Sequence, residues 1–86
     1  MIEIATEDLV AMLTFDEVKL YLFSLGDGWR LPAITEVVLC RQKHPILGLA
    51  GTLWSDVWFN FIQAQTHPGR GRSSHLLIPV RDLKDD

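Results

Sequence analysis

Cysteine is nearly absent from this chain: Cys40 is the single one in 86 residues. A lone thiol closes no internal disulfide, and disulfides are what most secreted domains of this size rely on, so the expected compartment is reducing and cytoplasmic. The sequence also lacks a run approaching the ~20 apolar residues of a membrane span. Met1 to Met12 has no basic start and carries Glu3, Glu7 and Asp8, which excludes the reading of a secretory leader. Internal repeats, low-complexity tracts and Pro/Gly-rich linkers are missing too. The length leaves room for one hydrophobic core, hence a single domain over 1–86: an N-terminal segment 1–13, a core 14–82 and an acidic tail 83–86.

What is present argues for a folded domain. Hydrophobic residues make up 48% of the chain, with three Trp and four Phe, and the net charge is only −3. That is too apolar and too weakly charged for disorder. Small chains bury roughly 60–65% of their unfolded surface, so this one depends on efficient packing. The charge is segregated along the chain. Up to Gly28 the acids Glu3, Glu7, Asp8, Asp16, Glu17 and Asp27 face only Lys19; from Trp29 to Arg81 six Lys and Arg face only Glu36 and Asp56. Two readings are open: an acidic and a basic side of the fold, or solvated faces that merely differ.

Periodicity gives the elements. Ile2 to Leu13 reads as a strand or short turn leading into a helix. Thr14-Phe15-Asp16-Glu17 is a capping-box start, and Phe15, Val18, Leu22 and Leu25 then recur at helical spacing until Gly26-Asp27-Gly28 turns the chain. Trp29-Arg30-Leu31 is an extended crossing segment ahead of Pro32. A second helix runs from about Ala33 to Lys43, with Ile34, Val37, Val38 and Leu39 as candidates for its apolar face, and Pro45 closes it. His44 to Gly51 reads as a loop. Val57 to Thr66, rich in aromatic and β-branched residues, predicts a strand. His67 to Arg72 predicts a turn, and Ser74 to Arg81 a partner strand that is bulged or at an edge, because Pro79 has no N–H for a ladder. Helices followed by a hairpin make an α+β domain.

Thr14-Phe15-Asp16-Glu17-Val18 followed by Gly28-Trp29-Arg30-Leu31-Pro32-Ala33-Ile34-Thr35-Glu36-Val37 resembles the signature of the DUF1566, or Lcl C-terminal, domains. Leu53-Trp54-Ser55-Asp56 is similar to their Tyr-Trp-Ser-Ser landmark, and Leu77-Ile78-Pro79-Val80-Arg81 to their closing strand. The likeness spans about Thr14 to Asp82. It implies a C-type-lectin-like fold, two helices packed on a small twisted antiparallel sheet, with relatives among formylglycine-generating enzymes and phage receptor-binding proteins. Two departures stand out. Ala33 replaces the family's Thr, removing a side-chain cap that typically contributes about 1 kcal/mol. The loop that usually follows Trp-Ser-Ser is nearly absent, so this resembles a minimal version.

Catalytic and metal-binding readings are weak. Cys40 and His44 are one helical turn apart, but no orienting group or oxyanion site accompanies them. Cys40, His44, His67 and His75 lack zinc-finger spacing, and the bland reading of Cys40 is a small buried hydrophobe. Trp54-Ser55-Asp56 lacks the partner loop of a calcium-dependent sugar site. No cofactor is expected. The most distinctive polar stretch is His67 to His75: Arg70, Arg72 and Ser73 could hold an anion or dock a protein, and a solvated hairpin loop is the alternative. In the predicted strand Phe59 and Phe61 share one side, and Trp58 and Asn60 the other. Trp58 beside an arginine-bearing loop has the composition of an interface anchor; a second minor core is the alternative.

The expected function is therefore a non-catalytic module that docks on another protein, with homodimerisation open, through Trp58, Asn60, His67, Arg70, Arg72 and His75. By analogy with the family's phage relatives, it would be a phage or mobile-element accessory protein that inhibits a host system. The alternatives are a nucleotide or nucleic-acid binder through Arg70 and Arg72, and a thiol or hydrolytic enzyme using Cys40, His44 or His75. The acidic balance disfavours a large phosphate footprint, and no membrane partner is expected.

Overall fold

A computed structural model describes residues 1–48, 52–65 and 74–83. The two ends of the chain build its strands. β1 (Ile2–Ile4) pairs antiparallel with β4 (Val80–Asp82), Ile4 opposite Val80; β2 (Ala11–Leu13) pairs antiparallel with β3 (His75–Leu77), Met12 opposite Leu76. Residues 75–82 thus run as one interrupted strand beside residues 2–13. The interruption is Ile78-Pro79 on one side and the 3-10 turn Glu7–Leu9 on the other. Pro79 has no N–H to offer, so the ladder stops there, yet its carbonyl still accepts from the Ala5 N–H at 2.9 Å.

This segment is also bonded on its far flank. Arg30 and Val80 exchange both backbone hydrogen bonds, at 2.8 and 3.0 Å, and the Trp54 N–H donates to the Leu76 carbonyl at 2.9 Å. The expected edge strand is therefore the centre of the arrangement, and its partner is the N-terminal segment rather than residues 57–66. Burial follows from that position: Leu76 to Val80 are all buried. The expected break at Pro79 is present.

α1 (Phe15–Leu25) starts as its sequence implies. The Glu17 carboxylate accepts from the Thr14 N–H at 2.8 Å and from the Thr14 hydroxyl at 3.0 Å. The hydroxyl is thus a donor here, while the Glu17 N–H goes to the Thr14 carbonyl. Gly26 and Gly28 end the helix at φ of 63° and 80°, a conformation that glycine adopts without a Cβ clash. α2 (Ile34–Lys43) has only half a cap: the Glu36 carboxylate accepts from the Ala33 N–H at 2.7 Å, and Ala33 offers no side-chain acceptor in return. Its inward face is Val37, Cys40 and, just past its end, His44. Ile34, Val38 and Leu39 are exposed, which corrects the apolar face expected from periodicity. The short α3 (Pro45–Gly48) follows where a loop was expected.

Residues 56–64 form a helix, α4 (Asp56–Ala64), not the expected strand. Ser55 caps it, its Oγ accepting from the Trp58 N–H at 3.1 Å, and Asp56 places a negative charge in the first turn. Phe59 enters the core, stacked on Phe15 at 4.7 Å and edge-on to Trp54 at 6.1 Å; Ile62, one turn later, packs against the same cluster. Strand preference spans only ~1 kcal/mol and is readily outweighed by the packing of Phe59 and Ile62 against the core.

The core has two parts. Leu13, Val18, Trp54, Phe59 and Leu77 make one, with α1 and α4 around it; Cys40, Leu53, Leu76, Ile78 and Val80 make the other, beneath α2. The Trp54 indole N–H donates to the Leu13 carbonyl at 2.8 Å, so its one polar atom is satisfied inside. The result is a small α+β domain with two two-stranded antiparallel sheets. No helix among the described residues is long and apolar enough to cross a membrane.

Candidate functional site

The Gly-Trp-Arg-Leu-Pro string serves the fold itself. Arg30 bonds the Glu36 carboxylate with both terminal nitrogens, at 2.8 and 3.1 Å, and reaches Asp82 at 2.9 Å. It thereby clasps the start of α2 to the closing strand. The same Arg30 hydrogen bonds hold the Glu36 and Asp82 carboxyls below their ordinary values and raise the guanidinium further. Trp29 is half-buried beneath Arg81, whose guanidinium lies 4.5 Å from the ring centre and also bonds Glu3 at 2.6 Å. Pro32 is buried, and its carbonyl accepts from the Asp56 N–H at 2.9 Å, which fixes the start of α4 against the start of α2.

Cys40 and His44 are drawn into the core. Cys40 is fully buried, and burial pushes its thiol up to about 11. That favours the protonated, unreactive form. His44 is also buried, with Nε2 2.7 Å from the Ala5 carbonyl, so this nitrogen carries the proton. Cys40 and His44 meet through backbone only, the His44 N–H donating to the Cys40 carbonyl at 3.0 Å. Among the described residues no three His, Cys, Asp or Glu side chains gather as metal ligands.

Of the expected docking residues, Trp58 and His75 come together and Asn60 does not join them. The His75 ring stands edge-on to both Trp54 and Trp58, at 5.1 and 5.7 Å. Asn60 is exposed; two positions along a helix are about 200° apart, so it does not share a side with Trp58 as it would in a strand. The pairing of Phe59 with Phe61 fails for the same reason: Phe59 is core, and Phe61 is exposed and stacked on Trp58 at 5.4 Å. His67, Arg70, Arg72 and Ser73 lie outside the described residues.

The structure adds partners for Trp58 that the sequence did not single out as a site. α2 and α4 flank a groove of about 240 Å³ lined by Ile34, Val37, Leu53, Val57 and Trp58, with Arg41, Thr52 and Ser55 also on its wall. Of its lining, Ile34 and Val57 are open to solvent; Val38, one turn beyond Ile34, and Phe61, stacked on Trp58, are exposed as well. The Trp58 indole nitrogen is buried with no acceptor among the described residues. Ser55-Asp56 ahead of an apolar pattern at 58, 59 and 62 was the available signal for α4. Nothing local signalled that Ile34 and Val38 stay exposed.

The fold and this groove define a small α+β domain with an open apolar face. Compared with known protein families, curated proteins and solved structures, the chain matches none of them.

Proposed function

We propose that this chain is a non-catalytic docking domain that binds another protein through the α2/α4 face, with Trp58 at its centre. The observation that carries the reading is the groove itself. Most of its lining is apolar, its Ile34 and Val57 stand in water, and its Trp58 carries the exposed Phe61 stacked on it. Aromatic anchors surrounded by apolar contacts are what concentrate binding energy at protein interfaces. Cys40, the one thiol, is sealed in the core and held protonated, which supports the non-catalytic reading.

The finer fold assignment is also a proposal. A minimal C-type-lectin-like domain of the DUF1566 kind is supported by the resemblance between Thr14 and Asp82, and by the helices and antiparallel strand pairs it implies. The accessory-inhibitor role rests on that resemblance alone.

The test is a nuclease-treated pull-down from the source organism's lysate with wild type, Trp58→Ala and the surface pair Val57→Ser/Phe61→Ser. The expected outcome is one stoichiometric protein that survives nuclease and is lost with both variants, followed by reconstitution from purified components. Retention of that protein by both variants would remove this face from consideration. Retention only of nucleic acid would replace the proposal with an anion-binding function.

A further inference from the structure

A second apolar surface lies on the outer side of α1 and shares no lining residue with the groove above. Phe23 is 89% exposed and Leu20 73%, and three positions apart on a helix they are neighbours. Leu20 also borders a shallow depression of about 340 Å³ with Leu13, Glu17, Tyr21 and Ser24. The outward face of a surface helix is ordinarily polar. Two large hydrophobes at its centre mark a contact surface rather than a solvated one.

Its surroundings are acidic. Asp16, Leu20 and Phe23 follow at i, i+4 and i+7 along α1, with Glu17 beside the first; Asp27 lies beyond the helix, after Gly26 at a φ of 63°. Glu7 and Asp8 come from the 3-10 turn that Tyr21 ties to this helix, its hydroxyl donating to the Leu9 carbonyl at 2.6 Å. Among the described residues none of these five carboxylates forms an ion pair; the pairs present use Glu36, Asp82 and Glu3. Lys19, the only base on the helix, has its ammonium 5.7 Å from the Phe59 ring centre.

We infer that the outer face of α1 docks a cationic amphipathic helix. Its apolar side chains would cover Leu20 and Phe23, and Lys or Arg beside them would meet Asp16 and Glu17 at the start of α1. A second copy of this chain is a poor occupant, because α1 against α1 brings acids onto acids. An anionic lipid or nucleic acid is repelled by the same charges.

Fluorescence anisotropy with a labelled Leu/Lys amphipathic helix about five turns long tests this. A scrambled peptide of equal composition and a Leu/Glu analogue serve as controls. Wild type is expected to bind the Leu/Lys helix alone, more weakly at about 300 mM salt than at about 50 mM. Leu20→Ser/Phe23→Ser, both at exposed positions, is expected to weaken binding by about tenfold or more. Glu7→Gln/Asp16→Asn is expected to weaken it several-fold and flatten the salt dependence, while Phe61→Ser leaves it unchanged. Equal binding of the scrambled peptide, or indifference to Leu20→Ser/Phe23→Ser, overturns the inference. A concentration-dependent dimer that Phe23→Ser abolishes gives this face to a second copy and overturns it as well. Because Phe61→Ser separates the two faces, failure here leaves the α2/α4 proposal standing.

Discussion

At the scale of single residues, charge pairs and one indole do most of the fastening. Arg30 joins Glu36 and Asp82, groups that sequence order places far apart. Glu36→Gln removes the bidentate partner and weakens the only cap of α2; chemical denaturation is expected to show a loss of roughly 1–2 kcal/mol. Acidification acts on the same groups. Glu36 and Asp82, held down by Arg30, and Glu17, held down by the Thr14 N–H and hydroxyl, all titrate lower folded than unfolded. Their contribution is complete above the ordinary glutamate value of 4.5 and is lost as pH falls through the lowered folded values. The Tm is expected to fall on acidification below that range, and less steeply in Glu36→Gln. Trp54→Phe leaves the Leu13 carbonyl without its donor and a gap beside Phe59; a loss of about 2–4 kcal/mol in urea titration is the expectation.

At the scale of elements, α1 and α2 were legible because their signals are local. Thr14 and Glu17 are three residues apart, Gly26 and Gly28 adjoin the last turn, and Pro45 follows α2 within two residues. The segment 56–64 was not, since Val57, Trp58, Phe59, Phe61 and Ile62 suit a strand by residue type and a helix by spacing. Ser55 and the core-facing Phe59 decide it. Asn60 offers a test of sign. In an exposed helix position Asn60→Ala is expected to be more stable than Asn60→Thr by roughly 0.5 kcal/mol, whereas in a strand the order reverses. Urea denaturation reads the difference. The candidate site depended on this element: as a strand it grouped Trp58 with Asn60, and as a helix it groups Trp58 with Phe61, Val57 and α2.

At the scale of the whole molecule, residues 75–82 are the axis on which everything else is hung. Residues 2–13 pair along one flank, Arg30 and Trp54 bond to the other, and both core clusters contain its side chains. Deleting residues 1–4 removes β1, breaks the Arg81–Glu3 pair and uncovers Val80. A broad, non-cooperative thermal transition and collapsed amide dispersion by NMR are the expected result. Pairing of the two chain ends is also non-local, so folding is expected in milliseconds to seconds by stopped flow, slower than a helical domain of this length.

What the sequence determined by itself was whatever depends on neighbours within a turn or two: a folded α+β domain, the limits of α1 and α2, the break at Pro79, and a Cys40 suited to burial. Tertiary structure alone decided the pairing of the N-terminal segment with residues 75–82, the helical state of residues 56–64, and the exposure of Ile34, Val38, Leu20 and Phe23. The reason is that periodicity reports which side of an element is apolar, not whether anything covers it. Cover is supplied by segments distant in sequence, and on the outer faces of α2 and α1 the described chain supplies little or none.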